Sequence, residues 1–138
     1  MKKIEVIRSE NIEEALSISN RQYLVGNLAL PQELDNLPDN HVEVGITEYK
    51  KDTIEKPHYH KTTSEYVYVV EGECKYIDVN TKEETFVKKG DFFLIRKDIT
   101  YAQKSKAGLK LLFFKYPSGN DKVKVGYGGT LEEWYKEY

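Results

Sequence analysis

Three side chains able to bind a metal ion stand close together in this chain of 138 residues: His58, His60 and Glu65, in the stretch Pro57-His58-Tyr59-His60-Lys61-Thr62-Thr63-Ser64-Glu65. Histidines one residue apart share a face of an extended segment, and Pro57 keeps Lys56 out of the helical region. Two imidazoles on one side of a strand, met by a carboxylate from the next strand, can converge on one ion. Imidazole suits zinc, iron, nickel, cobalt, copper and manganese, and the carboxylate turns the preference toward iron or manganese. The competing reading of a bare His-x-His is two surface histidines on a loop beside Lys61. The third histidine, His41, starts a strand after Asp39-Asn40, the setting of an exposed residue.

Such a constellation needs strands to hold it. The middle of the chain alternates strand-like runs, at residues 42–49, 65–71, 75–79, 85–87, 92–95, 100–103 and 109–116, with turn signals such as Glu71-Gly72, Lys89-Gly90-Asp91 and Ala107-Gly108. Many short strands with close turns predict an all-β antiparallel sandwich or barrel. If Glu65 opens a strand, Glu65, Val67 and Val69 point to one face. Helical signals are confined to the ends. Ser9 or Asn11 could cap a short helix through Ile12, Ala15, Leu16 and Ile18. At the other end, Thr130-Leu131-Glu132-Glu133 reads as a capping box before an aromatic helix carrying Trp134, Tyr135 and Tyr138. The outside of the barrel or a second subunit must cover that aromatic face.

With 21 basic and 23 acidic residues the formal charge is -2, so the chain lacks the basic footprint of a nucleic-acid or anionic-membrane binder. The single cysteine, Cys74, excludes an internal disulfide and a cysteine-cluster zinc site, and its alternating surroundings make it a plain strand residue. Charges interrupt every early apolar run, and nothing approaches the roughly 18 apolar residues of a membrane span. The expectation is a cytoplasmic protein. Without repeats or linkers, one domain over 1–138 is the simplest organisation: an N-terminal arm at 1–41, a barrel core at about 42–116 and a C-terminal loop and helix at 117–138.

Reading past Glu65, six residues lead to Gly72, so the chain runs His-x-His, four residues, Glu, six residues, Gly. This resembles the first motif of the cupin superfamily, in which two histidines, a glutamate and a glycine stand in this order. The second motif of that family runs from a Gly-Asp turn through Pro-x-Gly to a histidine. Here Gly90-Asp91 opens a segment of the right length, but Arg96 and Asp98 replace the proline and glycine, and Tyr101 stands where the last histidine would be. The resemblance covers about residues 42–116 and implies a double-stranded β-helix or jelly-roll barrel with short terminal helices. It also implies His58, His60 and Glu65 as ligands of a divalent or ferric transition metal: Fe, Mn, Zn, Ni or Co. Tyr101 is then a fourth ligand as phenolate, a hydrogen-bond donor to substrate, or a core aromatic, with Gln103 on the same face. The functions implied are an isomerase, epimerase or lyase acting on a small polar, carbohydrate-type metabolite, with Tyr101 or Glu65 moving the proton. A non-haem iron dioxygenase and a non-catalytic binding or sensing module are the alternatives. Edge strands and aromatic ends favour a homodimer.

Overall fold

The computed structural model describes residues 3–119 and 121–138. Its elements are α1 (Ser9–Ile18), β1 (Arg21–Val25), β2 (Glu43–Tyr49), β3 (Thr53–His60), β4 (Ser64–Glu71), β5 (Glu73–Asp78), β6 (Glu84–Lys88), β7 (Phe92–Ile95), β8 (Tyr101–Ser105), β9 (Leu109–Tyr116), β10 (Lys122–Lys124) and α2 (Thr130–Lys136). Two five-stranded sheets face each other, one ordered β1-β2-β9-β4-β7 and the other β10-β3-β8-β5-β6, and all strand pairs within them are antiparallel. This is the all-β jelly roll that the turn spacing and the resemblance imply. Three strands go beyond the runs read from the sequence: β1 lies inside the expected N-terminal arm, β10 inside the expected C-terminal loop, and β3 extends back to Thr53 from the extended segment expected at His58 and His60.

The registers sort the barrel interior along its axis. In the first sheet the inner face runs from Tyr49 opposite Leu109, through Thr47, Leu111 and Val69, to Gly45, Phe113, Val67 and Phe93, and ends on Glu43, Lys115 and Glu65. One end is therefore apolar, where Tyr49, Val69, Cys74, Val87, Leu109 and Leu111 form the buried core. The other end is charged and stays open. Gly45 makes room for a ring at the boundary, because a Cβ there would lie 2.3 Å from Phe113 Cζ and would force the ring to shift. Gly72, which ends the first motif, has φ +81 and a Cβ position 2.8 Å from the Leu109 backbone, so the turn after β4 excludes a side chain. Burial raises the Cys74 thiol to about 11, which keeps it an inert core residue.

Both helices differ from expectation at their caps. The N-cap of α1 is Arg8, with no side-chain bond, where Ser9 or Asn11 was expected. At α2 the N-cap is Gly129, with φ 55, so Thr130 is already inside the helix and no capping box forms. The aromatic face of α2 is covered by its own barrel: Leu131 packs on Ile77 and Ala102, with Trp134 and Tyr135 beside them. Lys104 reaches from β8 to donate to the Trp134 carbonyl at 2.6 Å and to that of Glu137, and its ammonium lies 4.2 Å from the Trp134 ring centroid.

Candidate active site at the open end of the barrel

A regular strand carrying Glu55 inward would turn His58 outward, since side chains alternate. Instead, β3 pairs Glu55 with Gln103 but His58 with Tyr101, so three steps on β3 match two on β8. This bulge at Lys56-Pro57 restores the inward phase, and a proline fits there because a bulged residue has no ladder bond to donate. It also frees the Lys56 carbonyl, which lies 3.0 Å from His58 Nδ1. A carbonyl only accepts, so Nδ1 carries the proton and the Nε2 lone pair faces the cavity. His60, two residues on, has Nδ1 2.8 Å from Asp121 Oδ1, which likewise assigns the proton to Nδ1 and the lone pair to Nε2. The two rings stand edge to face, with centroids 5.4 Å apart.

Tyr101, the partner of His58 across the ladder, has its hydroxyl 2.9 Å from His58 Nε2 and 3.5 Å from Glu65 Oε2. Its one proton has two acceptors in range, and the nearer imidazole takes it. Burial first, and the Glu65 carboxylate next, hold the phenol well above its ordinary value. Burial likewise pushes His58 down to about 4, against the upward pull of its bond to the Lys56 carbonyl. The pair is thus a neutral phenol donating to a neutral imidazole.

These groups line a cavity of about 440 Å³, within the range of small-molecule sites. Its opposite wall carries Phe113 edge to face with Tyr23, with Arg21 and Lys115 at 5.6 and 5.3 Å from the Phe113 ring centroid. Arg21 donates to Thr47 Oγ1 at 2.9 Å and faces Glu55 at 3.5 Å. Burial, the largest single influence, would raise the Glu55 carboxyl, but Arg21, His58 and Lys122 together outweigh it and the net shift is downward. Lys115 donates to the Tyr23 hydroxyl at 3.2 Å. Burial, the largest single influence, lowers its pKa, and Glu65, its neighbour across the ladder, together with Tyr23 more than reverses this. Residues 27–33 also line the cavity.

The four residues singled out in the sequence, His58, His60, Glu65 and Tyr101, therefore share one cavity. Gln103 also points inward, but it lies deeper and donates to the Tyr76 hydroxyl at 3.1 Å. His41 is exposed and stays outside the cavity. The cavity residues Arg21, Glu55, Lys115, Asp121 and Lys122 were not singled out. Arg21 lay in the expected arm, and Glu55 shares the inward phase with the histidines only through the bulge. Asp121 sits in a polar loop that no local pattern marks.

A transition metal can be tested against this donor set. Both histidines turn an unprotonated Nε2 to the cavity, with Nδ1 anchored on a carbonyl and on a carboxylate, the support that ligating imidazoles need. That of His58 accepts from the Tyr101 hydroxyl, which an ion would have to displace. The cavity wall carries five carboxylates, Glu33, Glu43, Glu55, Glu65 and Asp121, against three cations, Arg21, Lys115 and Lys122, an excess of negative charge that suits a divalent cation. Neighbouring donors around one ion stand about 3 Å apart, close to the separations linking His58 Nε2, Tyr101 Oη and Glu65 Oε2. Among the described residues, however, no three His, Cys, Asp or Glu side chains alone are grouped to hold an ion. The donors fit a cation with the Tyr101 hydroxyl standing between His58 and Glu65, not as a preassembled His58, His60 and Glu65 trio.

A profile of the cupin domain matches residues 45–111. Among solved structures, a cupin superfamily protein from Desulfitobacterium hafniense matches with 11% identity over 72% of this chain and 80% of its own, at a TM-score of 0.53. Residues 45–111 thus carry a cupin domain, and the fold is the one shared by proteins of the cupin superfamily. The chain also matches an uncharacterized conserved protein with a double-stranded β-helix domain from Klebsiella pneumoniae, with 14% identity, 92% of this chain, 100% of the other and a TM-score of 0.60. A single-residue variant of oxalate decarboxylase from B. subtilis matches with 16% identity over 62% of this chain and a TM-score of 0.52, and the match spans only 24% of that longer chain. At these identities the likeness is one of fold. No curated protein matches the sequence significantly. Among the described residues no helix is long and apolar enough to cross a membrane.

Proposed function

We propose that this cupin binds a small polar metabolite in the open end of its barrel and moves a proton on it, in a reaction of the isomerase, epimerase or lyase type. The observation that carries this reading is the Tyr101 hydroxyl, buried in the cavity between His58 Nε2 at 2.9 Å and Glu65 Oε2 at 3.5 Å. A phenol kept protonated can donate to a substrate oxygen, and a carboxylate beside it can accept a proton, so two groups of opposite role face one ligand. Arg21 and Lys115 on the far wall supply charged contacts that orient a polar ligand. His58, His60 and Glu65 would hold a transition metal, which supplies Lewis-acid polarisation of a carbonyl or hydroxyl when bound.

Two measurements test this. Elemental analysis of protein purified without added metal should find close to one equivalent of a transition ion, and the His58→Ala, His60→Ala double variant should lose it while remaining folded. Metal below about a tenth of an equivalent, unrestored by reconstitution, removes the ion from the reading. Solvent deuterium incorporation, followed by NMR over a panel of sugars and hydroxy acids, should identify a substrate. Tyr101→Phe should then keep the metal and lose roughly 10²–10⁴-fold in exchange rate. Unchanged exchange in that variant rules Tyr101 out as the proton carrier. Two histidines and a carboxylate are also the donors of an iron dioxygenase site, and oxygen uptake by the Fe(II)-loaded protein with the same panel separates that alternative.

A further inference from the structure

Asp121 stands just before β10, in a stretch that no sequence motif marks, yet its carboxylate is fully bonded. Oδ1 meets His60 Nδ1 at 2.8 Å, while Oδ2 accepts from the backbone N–H of Thr62 at 2.9 Å, the backbone N–H of Thr63 at 2.8 Å and the Thr62 hydroxyl at 3.0 Å. One side chain thus ties the start of β10 to the β3–β4 turn and to the imidazole between them. His58 is fixed by a backbone carbonyl of its own strand. His60 instead depends on a side chain 61 positions further along the chain.

We infer that Asp121 is a positioning residue for the site: it holds His60 in the Nδ1–H tautomer and aims the Nε2 lone pair into the cavity. The chemistry leaves little choice. Oδ2 has three donors and is saturated by the turn, which fixes the carboxylate plane, and Oδ1 can then only accept, so the proton must sit on Nδ1. Ring orientation follows, because β10 pairs with β3 through His60 opposite Lys122 and keeps Asp121 alongside the ring. A carboxylate behind an imidazole also makes Nε2 a stronger donor toward a cation, and loss of such a partner commonly weakens metal binding roughly 10–100-fold.

The consequence for metal affinity rests on the metal reading above, whereas the tautomer does not, and the two can be read separately. In metal-free protein labelled with ¹⁵N-histidine, long-range ¹H–¹⁵N correlation above neutral pH should show both His58 and His60 as Nδ1–H. Asp121→Ala should move His60 toward the Nε2–H form and leave His58 unchanged, a selectivity that a general loss of stability would not produce. Asp121→Asn, whose carbonyl must face the three donors of the turn and whose NH2 then faces His60 Nδ1, should also move His60 to the Nε2–H form, and it stands in if the alanine variant does not fold. Titration with Co(II) should show roughly 10–100-fold weaker binding in Asp121→Ala. His60 remaining Nδ1–H in a folded Asp121→Ala protein overturns the inference. A shifted tautomer in a protein that binds no Co(II) in either form upholds the positioning role and overturns the metal reading alone.

Discussion

His58 shows how a single side chain can make the site sensitive to pH. Its folded-state pKa, pushed by burial down to about 4, lies below the ordinary value near 6.5, so the unfolded chain takes up a proton first as pH falls. The stabilisation from keeping this ring neutral is complete above about pH 6.5 and is lost as pH falls toward 4, by at most about 3 kcal/mol. Lys122 and His60 disfavour its charged form and Glu55 favours it. Urea denaturation of metal-free protein across this window should therefore show a stability that declines on acidification, with a flatter profile in His58→Gln. Equal slopes in the two proteins would assign the acid sensitivity to other groups. Gly45 makes a steric prediction at the same scale. Its missing Cβ accommodates the Phe113 ring, so Gly45→Ala should cost about 1–3 kcal/mol. Adding Phe113→Leu should recover part of that loss in a double-mutant cycle.

Among the elements, β3 matters most to the site because its bulge lets Glu55, His58 and His60 all face inward from one strand. Its edge is covered by β10, whose pairing places Lys122 beside His60. On the outside of the same sheet, α2 anchors β5 and β8 through Leu131 on Ile77 and Ala102. Leu131 is 5% exposed, and Leu131→Ala should destabilise the fold by about 2–5 kcal/mol in urea titrations. Faster amide exchange should appear first in β5 and β8, the strands beneath the helix. Exchange unchanged there would mean that α2 is a passive appendage.

For the whole molecule, the conspicuous feature is the outer face of the first sheet. Tyr66, Tyr68, Phe92, Phe114 and Tyr116 are 38–62% exposed, and the registers align Val44, Phe114, Tyr66 and Leu94 in one row and Ile46, Leu112, Tyr68 and Phe92 in the next. The open aromatic surface amounts to roughly 500 Å², and the aliphatic neighbours bring it toward the ~800 Å² per partner of a stable interface. An aromatic face of this kind can meet its own copy across a two-fold axis. The expected state is a homodimer, and sedimentation equilibrium should find it at micromolar concentration. Tyr68→Lys with Phe92→Glu should give a folded monomer. A wild-type monomer at that concentration would rule the dimer out.

The local order of residues determined a good part of this protein. Alternation and turn chemistry over residues 42–116 were enough to read most of the strands, because strand period and glycine turns are short-range properties. His58, His60 and Glu65, spaced ahead of Gly72, were enough to point to a site. Other features were decided only in three dimensions. The bulge at Lys56-Pro57 depends on how β3 pairs with β8, and the placement of Tyr101 between His58 and Glu65 depends on two sheets facing each other. Arg21 and Asp121 come from segments that read as arm and loop, since short edge strands owe their form to the neighbour they pair with. Whether an imidazole is neutral, which nitrogen carries its proton and which carboxylate holds it are properties of partners distant in the chain, and only packing brings those partners together.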